Sequence, residues 1–268
     1  MRKNAWVICC CTAVLAAFGT FFRWLQDQVC FEAETGLAVR GSIWPYAVAL
    51  MIVIAAVVLA VVCFRMKNQP HTSFPDSLPA AFAAAQRVRT IGGIVLGELL
   101  AVGGAWLMIS SGTLSSPGLQ RVLAVLAIVT GAAFARQMLA PGDAETASGA
   151  VVCASMPIVL LAFWLIVSYK VNIINPAISA YAVEILALCA ALIAFYQLAG
   201  FAYGRPKAIK SIFWSQFAAF LCITALPDDR AGGQQLMLAA IAGILVFQSY
   251  LTASNIRPAV SGPVGGAQ

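Results

Sequence analysis

Eight stretches of the chain, each about 20 residues long and nearly free of charge, alternate with short polar segments. They cover 5–22, 43–64, 90–112, 119–139, 149–169, 177–200, 209–226 and 233–253. A helix needs about 20 mainly apolar residues to cross the hydrocarbon of a bilayer. The strands of a membrane barrel instead alternate apolar and polar positions over about 10 residues. The pattern therefore predicts an all-α, polytopic integral membrane helical bundle with eight transmembrane helices. The seventh stretch is as short as any and carries Ser211, Ser215 and Gln216, so it is expected to be tilted, broken or shielded by protein. The first follows Arg2 and Lys3 and contains small residues at Ala16 and Ala17, as a cleavable leader does. Its length favours a retained span.

Short linkers at 112–118, 170–176 and 227–232 make the flanking spans antiparallel neighbours. The longest inner linker, 65–89, is punctuated by Pro70, Pro75 and Pro79, with an interfacial helix expected over 79–89. The loops are too short to hold a soluble domain. Residues 1–256 are read as a single transmembrane helical domain and 257–268, rich in Gly and Pro, as a flexible cytoplasmic tail. No internal repeat stands out.

Composition agrees with the pattern. Of the 268 residues 62% are apolar and only 10% charged, against roughly 25% charged in an average soluble domain. The net charge is +6, but no dense Lys/Arg block offers a nucleic-acid footprint. The charge is instead sorted by side. With the N-terminus inside, 11 of the 16 Lys and Arg fall at inner ends and 5 (Arg23, Arg40, Arg121, Lys170, Arg230) at outer ends, as the positive-inside rule requires. Both termini are thus expected in the cytoplasm, and the protein in a cell membrane, as a multi-pass protein of a bacterial cytoplasmic membrane.

Within that frame the costly residues carry the chemistry. Glu98 lies about 12 Å inside the third span and Glu184 about 10 Å inside the sixth. A charged residue at mid-helix costs about 2.5–3.5 kcal/mol on insertion scales. Each must face protein or water, or carry a proton. Both are candidate transport or ion-binding residues, with a structural contact that selects helix pairing as the alternative. Tyr196, Gln197, Gln216, Gln248 and Tyr250 approach the inner halves of spans 6 to 8 and are candidates to line a cytoplasmic vestibule; ordinary interhelical hydrogen bonding is the simpler account. Arg205, Lys207 and Lys210 suit contact with anionic lipid headgroups. Gly93, Gly97, Ala101 and Ala105 recur every four residues and form a small-residue stripe for close helix packing.

Other chemistry finds little support. The eight cysteines include no CxxC pair; they read as small apolar residues, with a Cys30–Cys222 bond as the alternative for that pair. His71 is the single histidine, which leaves Ser110 and Ser111 without a histidine base in any span. No catalytic residue, metal site or cofactor is expected, and the chain is not expected to be an enzyme. The sequence points to a small-molecule or ion permease, proton- or cation-coupled through the intramembrane carboxylates. A non-catalytic membrane scaffold or subunit of a larger membrane complex is the alternative. Expected partners are membrane lipids, further protein chains or a second copy.

Overall fold

A computed structural model describes residues 2–30, 42–68, 72–139, 147–172 and 178–258. Among these the chain is an all-α membrane-spanning bundle. Its helices are α1 (Arg2–Val29), α2 (Trp44–Lys67), the single turn α3 (Leu78–Ala81), α4 (Gln86–Ser110), α5 (Pro117–Leu139), α6 (Ala147–Asn172), α7 (Ile178–Ala202), α8 (Ala208–Thr224) and α9 (Gly232–Ser254). The only extended pairing among the described residues joins Thr72–Ser73 to Arg257–Pro258, antiparallel.

Among the described residues seven helices are long and apolar enough to cross a membrane: α1, α2, α4, α5, α6, α7 and α9. The expected eighth span is α8, which has 17 residues. At 1.5 Å per residue it is about 25 Å long, short of the roughly 30 Å of a hydrocarbon core. It packs against α1, α2, α7 and α9, and Ser215, Gln216, Phe220 and Cys222 on it are fully enclosed. A helix walled by protein need not match the bilayer, and its polar residues are sheltered from lipid.

Helix ends alternate along the chain. At one end Arg89 donates from Nε to the carbonyl of Met138 at 2.8 Å, and Asn255 donates to the carbonyl of Ala81 at 2.8 Å. There too Ser155 meets Tyr203 at 3.1 Å. The other end gathers Arg23, Gln120, Trp164, Asn172, Glu184 and 228–234. The charge count of the sequence assigns this second end to the outside, and it is called the outer end below.

Two expectations about linkers change. The interfacial helix expected over 79–89 is a single turn, α3, with Pro79 in its first turn as suits a helix start, and the chain leaves the helix at Phe82 before α4 begins at Gln86. The tail expected from 257 begins with two residues tied to Thr72–Ser73, and 259–268 lie outside the described residues. Glu32, Glu34 and Asn175 also lie outside them.

The small-residue stripe of α4 seats α5. A methyl group at Gly97 would meet the Gly131 carbonyl oxygen, and one at Gly131 would meet that of Gly97. The stripe departs from the expected one at its end. It runs through Gly93, Gly97 and Ala101 to Gly104, which faces the Ala124 carbonyl, whereas Ala105 is exposed. A spacing of four advances a 3.6-residue helix by 40° too far at each step, so a buried face must include a step of three. On its second side α4 meets α9, where Gly103 and Gly233 bring the two backbones together.

Candidate functional site

The outer end holds a buried chain of charges built by four elements. The face of α1 that turns inward runs through Ala5, Ile8, Thr12, Ala16 and Gly19, and the same face carries Arg23 and Gln26. Arg23 is only 1% exposed. Its Nε donates to Asp228 Oδ1 at 2.6 Å and its Nη1 to Gln26 Oε1 at 3.0 Å. Asp228 lies in the α8–α9 turn and accepts on its second oxygen from Arg230 Nη2 at 2.7 Å. Arg230 then approaches Glu184 of α7, Nε to Oε2, at 3.6 Å. Glu184 Oε1 accepts from the indole Nε1 of Trp164 on α6 at 3.1 Å. One guanidinium, one carboxylate, a second guanidinium and a second carboxylate thus alternate across the bundle. Taking these groups out of water costs several kcal/mol per ion, and the alternation is what offsets it.

The bonds differ in quality. Asp228 is held by two short charge-assisted hydrogen bonds. The Arg230–Glu184 contact is longer than a hydrogen bond, and Arg230 Nη1 is buried without any partner among the described residues. Beside this loose contact lies a cavity of about 210 Å³. Its wall includes Glu184, Arg230 and Asp229, with Trp164, Gln120 and Gln234. Gln234 donates to Gln120 across the α9–α5 seam at 3.0 Å, and Asn172 turns back to the Ser168 carbonyl at 2.9 Å. Below Trp164, the core around Pro157 of α6 is apolar and closed. A void of about 10 Å³ lies there between Leu100, Phe134, Pro157, Leu161 and Phe195.

The two carboxylates singled out in the sequence are not brought together. Glu184 is buried in the outer cavity, whereas Glu98 is exposed on α4, centred on a face with Ile91, Ile94, Val95, Val102 and Ile109. The inner residues do not gather either. Tyr196 is exposed on α7 and Gln197 half-buried. Gln216 is buried and donates to Ser249 Oγ and, at 3.4 Å, to Cys9 Sγ. Gln248 is buried, and Tyr250 packs edge-on against Trp6, with ring centres 5.6 Å apart, in a lateral groove between α1 and α9. Arg205, Lys207 and Lys210 are exposed at the inner end. Cys30 and Cys222 are both free thiols, Cys30 lying 2.8 Å from Ser42 Oγ; Cys222 is enclosed in α8, so the two do not pair.

Sequence reading missed Arg23, Gln120, Trp164 and Asp228 as parts of a site. Comparison with protein-family models, with curated proteins and with solved structures finds no match for this chain.

Proposed function

We propose that the protein is a non-catalytic permease for a small polar solute, which enters at the outer end and is held beside Glu184. One observation carries this reading: the cavity of about 210 Å³ bounded by Glu184, Asp229 and Arg230 at the outer end of the bundle. Polar groups buried in a membrane protein mark solute or ion paths more often than packing. The loose 3.6 Å contact between Arg230 and Glu184 leaves both groups able to exchange partners. The apolar plug around Pro157 separates the cavity from the inner side, as alternating access requires of one state. Pro157 also deprives α6 of a backbone donor, which gives that helix a place to bend.

The test is flux into proteoliposomes, screened over small polar solutes with and without a proton gradient. Glu184→Gln is expected to reduce uptake at least tenfold, and Glu98→Gln to leave it within twofold. Equal uptake by wild type and Glu184→Gln would refute a role for this carboxylate.

A second reading, a subunit of a larger membrane complex, is favoured by Glu98. Its carboxylate sits near the middle of a membrane-length helix on a face that none of the described residues covers. A partner helix bearing a hydrogen-bond donor would remove the cost. That reading predicts that dicyclohexylcarbodiimide modifies Glu98 in the purified chain but not in native membranes. Equal modification in both would remove the case for a partner at this face.

A further inference from the structure

The outer cavity also carries information about what it binds, on the reading that it is the solute site. We infer that its ligand is a small zwitterion of amino-acid size, with an ammonium group at Glu184 and Asp229 and a carboxylate at Arg230. The charges of the wall lead to this. Glu184 and Asp229 face the cavity with one guanidinium, Arg230. A simple anion would meet two carboxylates. A simple cation would lie against the guanidinium and leave its Nη1 with no acceptor. A molecule bearing both signs satisfies each group.

Geometry gives the ligand a place. The side chain of Arg230 is 4% exposed, and its Nη2 is engaged by Asp228. Nε reaches Glu184 only at 3.6 Å, and Nη1 has no partner. Nε–H and the Nη1 hydrogens point to different sides of the guanidinium, so a ligand carboxylate takes the unpartnered Nη1 in a charge-assisted hydrogen bond. Glu184 Oε2, which Arg230 approaches only at 3.6 Å, accepts from the ligand's ammonium, while Oε1 stays fixed by Trp164. The ligand thus adds two complementary contacts beside the one loose ion contact. The volume of about 210 Å³ is below the roughly 300–1,000 Å³ of sites for drug-sized molecules, which limits the ligand to a few heavy atoms. Gln120, Gln234 and Ser168 in the same wall provide hydrogen bonds to its remainder.

The experiment measures binding to the full chain in lipid nanodiscs, by thermal unfolding and by tryptophan fluorescence. The probes are glycine, L-alanine, β-alanine and γ-aminobutyrate, with propionate and ethylammonium as the two half-molecules. At least one zwitterion is expected to bind at least tenfold more tightly than either half. Arg230→Gln should abolish its advantage over ethylammonium, and Glu184→Gln its advantage over propionate. Arg230→Lys, which keeps the charge and protects against a folding defect, should weaken the zwitterion by several-fold while the protein still unfolds cooperatively. Half-molecules that bind as well as the zwitterions, or no binding by any probe, would overturn the inference. The permease reading fails separately. A zwitterion that binds but is not taken up by proteoliposomes defeats transport and leaves the ligand class standing. Uptake of a solute of another class does the reverse.

Discussion

Asp228 is the residue on which the outer end turns, because it accepts from two buried guanidinium groups at once. Replacing it by Asn keeps the shape and removes the charge, leaving Arg23 and Arg230 without their shared counterion. Breaking a buried pair by removing one partner costs about 3–5 kcal/mol, and Asp228→Asn is expected near the lower figure because the amide oxygen still accepts one bond. Unfolding in mixed micelles measures it; a loss under about 1 kcal/mol would place this pair among exposed ones. Glu184 was legible in the sequence from its depth alone, since any carboxylate 10 Å inside a span by helix rise needs a companion. Its companion was not, because Arg230 is 46 residues away along the chain, in the turn between the seventh and eighth stretches. Arg23 was legible in principle. The inward face of α1 repeats at three and four residues from Ala5 to Gly19, and extending it reaches Arg23 and Gln26. An apolar span taken to end at 22 hides that continuation.

Among the helices, the α4–α5 contact shows how far a small-residue pattern can be read. The stripe at Gly93, Gly97 and Ala101 is where the sequence puts it, and at Gly97 a Cβ would run into the Gly131 carbonyl oxygen. Its partner, Gly131, is found only once the helices are paired. Gly97→Leu is expected to destabilise the bundle by about 1–3 kcal/mol, the usual cost of overpacking, and Ala105→Leu to change it little, since Ala105 is exposed. Comparing the two by thermal unfolding in micelles checks this; equal effects would contradict the packing described. The shortness of α8 was visible as polar residues in a weak span. That these residues are enclosed by α1, α2, α7 and α9 depends on long-range packing, which hydropathy along the chain does not contain.

Across the whole bundle the polar groups are unevenly placed. The outer end has alternating charges around a cavity, the middle buries uncharged polar groups such as Gln216 and Ser249 among apolar ones, and the inner end is basic at Arg205, Lys207 and Lys210. The all-α membrane class followed from the length of the apolar runs, because only hydrocarbon can solvate so many of them and only a helix satisfies its own backbone there. The cavity did not follow, since it is assembled from four separate stretches of chain. The most direct test of an outward-open polar site is labelling of Gln234→Cys, in a variant with the native cysteines replaced, by a membrane-impermeant maleimide. The account predicts rapid labelling from outside intact cells, slowed by a bound solute, with Arg205→Cys labelled only after the membrane is permeabilised. Labelling of Gln234→Cys only from the inner side, or not at all, would contradict it.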